Sequence, residues 1–206
     1  MRPPQTSHKQ PQKMITQALT YARSFIGAPY RWHRADDPIE ADDKFWVSNE
    51  TLTITLEEIE RAGKSIVCTG LANLVRRHLG LTIPGLGSDP HPGTTGAWFS
   101  YLTAAGRLEP LDVRTHYPAG TLLLRDFADI ETDQGHVAIL AEAPAGQPIL
   151  AATLLHAYAD RSYEESAGAA PAGTTGLTPF SESYGYASEK GYYTHICRPE
   201  NWILRD

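Results

Sequence analysis

Cys68, His136 and His156 are the residues of this 206-residue chain whose types and order allow nucleophilic chemistry. Cys68 opens the run CTGLANLVRRHLG, in which Leu71, Leu74, Val75 and Leu79 form an apolar stripe and Gly80 is a natural helix stop. A cysteine at a helix start meets unpaired backbone N–H groups and the positive end of the dipole, and both favour the thiolate. His136 opens the apolar run HVAILAEA and shares a strand face with Ala138 and Leu140. Small Ala138 leaves its ring room to reach a neighbouring helix. His156 ends a further apolar run and is again followed by a small residue, Ala157. A nucleophile, a base and a group that orients the base are what acyl transfer through a thiol requires. Each residue alone has a plainer explanation. A free cysteine is most often a small core residue, and a strand histidine a satisfied structural one. The chain order of the three together is what favours chemistry.

The elements that would position them are legible in outline. Residues 1–13 are polar and proline-rich and are expected to be a disordered tail, with one catalytic domain over 14–206. Ile15, Leu19, Ala22 and Phe25 fall at helical spacing and predict a helix over 14–26, stopped by Gly27 and Pro29. Residues 33–64 are expected to be an insertion over the domain face, in which LTITLEEIERAG holds a short helix. A second short helix is expected over 97–105. Strands are predicted at 121–127, 136–143, 148–158 and 192–197, where short apolar runs lie between Gly, Pro and Asp breakers. Residues 160–185 are rich in Ser, Gly, Ala and Pro and are expected to be irregular. Helices first and an antiparallel sheet second give an α+β class.

Composition limits the partners. The formal charge is −6 with no basic run, so nucleic acid is not favoured. Arg76 and Arg77 are most simply a solvated helix face. No stretch approaches the ~20 apolar residues of a membrane span, and the first residues lack the apolar core of a secretory leader. The expected setting is the cell interior at synthesis, or export by a route without a cleavable signal. Two cysteines make no disulfide framework, and free thiols are expected.

GAPYRW (27–32), CTGL (68–71), PAGTLLL (118–124), GHVAIL (135–140) and LLHA (154–157), in that order, resemble the NlpC-type cell-wall cysteine peptidases, which are papain-like in fold. The resemblance covers roughly 14–159, apart from the insertion. It implies a nucleophile helix packed on a central antiparallel sheet. It implies hydrolysis of peptide bonds in bacterial cell-wall stems, often after γ-D-glutamate, with a peptide or muropeptide as substrate and no cofactor. Cys68 would be the nucleophile, His136 the base and His156 the orienter. Tyr30 would lie beside the nucleophile and help bind substrate or the oxyanion. Two positions depart from the family pattern. Val67 stands where an acid precedes the nucleophile and binds a substrate ammonium, and His33 stands where glycine is usual.

Other chemistries compete. The chain is also compatible with an amidase or acyltransferase of the same fold, or with a catalytically silent module that binds cell-wall peptide. Cys68, His136 and His156 have the ligand types of a zinc site with an open position, but no carboxylate is placed to act as its base. His195 and Cys197 share a strand face without two further ligands. Asp36, Asp37, Asp42 and Asp43 lack the spacing of a calcium loop.

Overall fold

A computed structural model describes residues 9–31, 53–125, 135–159, 172–181 and 193–206. Helices α1 (Lys9–Arg23), α2 (Leu56–Arg61), α3 (Cys68–His78), α4 (Thr95–Ala104) and α5 (Pro199–Trp202) accompany seven strands. These are β1 (Pro29–Arg31), β2 (Glu109–Pro110), β3 (Leu122–Arg125), β4 (His136–Glu142), β5 (Thr153–Ala159), β6 (Ala172–Pro179) and β7 (His195–Cys197). They form one open sheet in the order β1-β6-β5-β4-β3-β7-β2, antiparallel throughout. The molecule is therefore α+β, and β3, β4 and β5 are the expected antiparallel succession. Among the described residues, no helix is long and apolar enough to cross a membrane.

Strand alternation sends successive side chains into two separate cores. Val137 and Ile139 of β4, with Leu155 and Ala157 of β5, join Leu71, Ala72, Leu74 and Val75 of α3 in the larger core. Ala138 and Leu140 of β4 join Leu154, Phe180, Tyr193 and Ile196 in the second, on the opposite face. Helix α3 ends as its sequence requires: Gly80, just past the C-cap Leu79, takes φ 71°, a left-handed conformation in which glycine meets no Cβ penalty.

Four sequence expectations need correction. Helix α1 starts at Lys9, so residues 9–13 are helix and not tail; Pro11 is tolerated because the first turn needs no donor from it. The inserted segment is partly core. Thr55 caps α2 through a full capping box, and Ile59 is wholly buried; residues 32–52 lie outside the described residues. The segment over 160–185 contains β6, which pairs with all seven residues of β5 and with β1. Its glycines and prolines hid a strand that Thr174, Thr175, Leu177 and Thr178 sustain. Arg76 and Arg77, finally, are not a wet face: they are 0% and 4% exposed, because α3 lies between the sheet and α1.

Arg76 is held by oxygen acceptors on every side. Nε donates to the Thr82 carbonyl (2.6 Å), Nη1 to those of Trp202 (2.8 Å) and Arg205 (3.2 Å), and Nη2 to Asp206 Oδ1 (2.8 Å). The guanidinium also lies over the Trp98 and Tyr101 rings. Burial pulls its pKa down from the usual arginine value. Asp206 is more than half exposed, so screening leaves that ion pair a minor contributor. The larger loss in Arg76→Ala is of charged donors to carbonyls. The variant should lose about 2–4 kcal/mol in urea denaturation, against within about 0.5 kcal/mol for a solvated helix face.

Candidate active site

The site forms where the sheet opens. The β4–β5 ladder ends at Ile139↔Leu155. Leu140 N–H points to β3, where it donates to the Thr121 carbonyl (2.8 Å). By alternation the N–H of Val137 points toward β5, beyond the end of that ladder. It hydrogen-bonds the Cys68 sulfur instead. The first residue of α3 is thus set at the mouth of the gap between β4 and β5.

The segment that delivers Cys68 is tied to β1: Ile66 N–H donates to the Pro29 carbonyl (2.8 Å), and Ile66 bridges Tyr30 in parallel. Tyr30 itself is 8% exposed and pairs with Gly173 of β6. Val67, partly exposed, is the N-cap of α3 and offers no side-chain cap; the first turn carries no acid. His33 and the four aspartates over 36–43 lie outside the described residues.

The sulfur also accepts from the Thr69 N–H and hydrogen-bonds the Thr95 hydroxyl. Thr95 is held in place by a buried anchor. Asn73 of α3 donates to the Gly93 carbonyl (2.9 Å) and accepts from Trp98 Nε1 (2.9 Å), fixing the head of α4. Gly93 has φ 71°, and a Cβ there would collide with the Asn73 amide. Despite these contacts, burial dominates and pushes the Cys68 thiol up. The expectation that the helix start would favour a thiolate is therefore corrected: desolvation outweighs the dipole, and the resting group is the thiol.

His136 and His156 lie side by side on the face opposite α3, where Ala138 leaves room between them and Leu140. His136 Nε2 is 2.8 Å from His156 Nδ1. His156 Nε2 is in turn 3.2 Å from Thr178 Oγ1 on β6. Tyr158 stacks on His156 with ring centroids 4.5 Å apart, and the Tyr193 ring lies 6.1 Å from His136. Burial holds His136 well below the usual imidazole range, aided by His156 and Arg125; burial alone brings His156 to about 4. Both rings are neutral near pH 7. A histidine placed to reach a helix was expected; α3 instead packs on the other face, and its sulfur comes to the gap between the strands.

Among the described residues, no group of three or more His, Cys, Asp or Glu side chains is placed to hold a metal ion. The direct contact between His136 Nε2 and His156 Nδ1 turns those two nitrogens toward each other and away from any shared ion. Both cysteines are free.

Sequence reasoning missed Thr95 and Thr178. Thr95 had a signal: the Thr-Thr-Gly start of α4 places a hydroxyl at its first turn beside the N-cap Thr94, which accepts from Ala97 N–H. Thr178 had none, since its segment did not read as a strand. No protein-family model matches the chain, and no curated protein matches it.

Proposed function

We propose that the chain is a cysteine hydrolase of the NlpC type, papain-like in fold, cleaving amide bonds in bacterial cell-wall stem peptides. One observation carries the assignment: the 2.8 Å contact between His136 Nε2 and His156 Nδ1, beside the strand end whose N–H meets the Cys68 sulfur. That contact uses Nε2 of His136 and turns Nδ1 away from His156, as a base serving a thiol requires.

With thiol and imidazole both neutral at rest, attack and proton transfer are coupled. Cys68 Sγ bonds to the substrate carbonyl carbon as its proton passes to His136 Nδ1, and His156 steadies the imidazolium. Collapse of the tetrahedral species breaks the C–N bond, and His136 returns the proton to the departing amine. Water, deprotonated by His136, then releases the acid and restores the thiol. The N–H groups at the start of α3 supply donors for the developing oxyanion. The γ-D-glutamyl bond as target follows from the resemblance, as does Tyr30 at the substrate.

The test is incubation with L-Ala-γ-D-Glu-meso-diaminopimelate, as the free amine and N-acetylated, read by mass spectrometry. Cleavage after D-glutamate, absent in Cys68→Ala, is expected; two intact peptides would remove the cell-wall assignment. Val67 carries no charge for an ammonium, so the acetylated peptide should be cleaved at least as well. Val67→Asp should raise the free-amine rate roughly 10- to 100-fold, corresponding to ~1.5–3 kcal/mol for a charged hydrogen bond, and leave the acetylated one unchanged. A native preference of tenfold for the free amine would show that another group has taken over the contact.

A further inference from the structure

We infer that Thr178 is a positioning residue of this site, and that its hydroxyl, as the acceptor for His156 Nε2–H, is what permits His136 to carry its proton on Nε2. The inference rests on the hydrolase assignment for its purpose, but not for its test. A carboxylate orienter can only accept; a histidine orienter is ambiguous, since a neutral ring donates from one nitrogen and accepts at the other. For His136 to take a proton at Nδ1, its own proton must sit on Nε2. His156 Nδ1, 2.8 Å away, must then accept. His156 must in consequence carry its proton on Nε2, where Thr178 Oγ1 stands at 3.2 Å.

The two rings therefore share one choice. In the productive arrangement the donors run from His136 Nε2 to His156 Nδ1, and from His156 Nε2 to Thr178 Oγ1. In the opposite arrangement each ring keeps one proton, but His156 donates from Nδ1 and the proton of His136 is moved to Nδ1, where it cannot act as base. The Thr178 hydroxyl can serve either arrangement, accepting from His156 Nε2–H or donating to the bare nitrogen. Without it the productive arrangement leaves a buried His156 N–H unpaired, whereas the opposite one leaves a bare nitrogen there and keeps the His136 Nδ1–H on the side of the thiol. Orphaned buried donors are the less tolerated of the two. His136 and His156 are 7% and 5% exposed, and the acceptor that the structure places at His156 Nε2 is the half-buried Thr178 hydroxyl. Strand register brings the hydroxyl to this place, because Thr178 pairs with Leu154, two residues before His156 on the same face of β5.

The experiment is ¹⁵N NMR of histidine-labelled protein at pH 7.5, with His136 and His156 assigned through their Gln variants. The expected spectrum of the native protein has both rings protonated on Nε2. Thr178→Val, which keeps shape and removes the acceptor, should move both protons to Nδ1, and Thr178→Ser should restore the native pattern. Native His156 protonated on Nδ1, or a Val variant with unchanged tautomers, would overturn the inference. Where Thr178→Val does not fold, Thr178→Ala, which likewise removes the acceptor, is read in its place, and unchanged tautomers there overturn the inference. Alongside it, the rate of Cys68 alkylation by iodoacetamide at pH 7.5 should fall roughly 10- to 100-fold in Thr178→Val, the range seen when the partners of metal-ligating histidines are removed. Recovery is expected in Thr178→Ser. An unchanged alkylation rate in Thr178→Val would also overturn it. A protein that cleaves no stem peptide yet shows the tautomer shift would lose the cell-wall assignment and keep this one.

Discussion

Cys68→Ala should lower the rate on a stem peptide by roughly 10⁴- to 10⁶-fold and leave the fold intact. The size of the loss follows from covalency, since without the sulfur no acyl-enzyme forms and only binding and oxyanion donors remain. The fold should tolerate the change because Cys68 is partly exposed at a helix terminus and loses only its hydrogen bonds, about 1 kcal/mol in sum. His136→Ala should fall to a similar rate, and the double variant no further, because the two groups act as a unit. The native thiols should also differ. Cys68 is partly exposed, whereas Cys197 is wholly buried, its thiol pushed up to about 12 by burial. Iodoacetamide near pH 7 should label Cys68 and spare Cys197. Activity within tenfold of native in Cys68→Ala, or equal labelling of the two cysteines, would remove Cys68 as nucleophile.

Acidification should destabilise the protein before it titrates the base. His156 has an unfolded value near 6.5 and a folded one of about 4, set by burial. Between those limits the unfolded chain binds a proton that the folded one does not, so stability is full above pH 6.5 and falls as pH drops toward 4. The difference corresponds to about 3 kcal/mol for His156 at 1.36 kcal/mol per unit. His136, also lowered by burial, acts in the same direction. Urea midpoints between pH 7 and pH 4 should record the fall, and His156→Gln should flatten it. The rate should meanwhile hold as pH falls through 6.5, because burial keeps the His136 imidazole neutral and proton-accepting below its ordinary value. A kinetic limb near 6.5 would mean that His136 is solvated in the working enzyme.

Much of this arrangement was legible, and the gaps have physical causes. Helical periodicity located α3, and short apolar runs between Gly, Pro and Asp breakers located β3 to β5, whose residues are buried on both faces. The order Cys68, His136, His156 fell on a helix start and two adjacent antiparallel strands. What escaped was context. Arg76 looks solvent-facing from composition, because its burial depends on carbonyls of residues 202 and 205, far along the chain. β6 escaped because Gly173, Gly176 and the terminal Pro179 lower its local strand preference, and pairing with β5 and β1 on its two sides supplies what the sequence lacks. The resting state of the thiol escaped too, since helix position speaks of dipoles and only packing speaks of desolvation. Thr178 was hidden with its strand.

The opening of the ladder beyond Ile139↔Leu155 also divides the inheritance of the site. Cys68 belongs to the core under α3, while the two imidazoles belong to the core on the other side of the sheet. The sheet is a partition between two packings, and the gap is where they meet. A volume change in either core, remote from every reacting atom, should therefore act as an adjusting screw on the spacing of sulfur and imidazole. Under the proposed hydrolase reading, activity would be tuned from two independent directions without exchanging Cys68, His136 or His156.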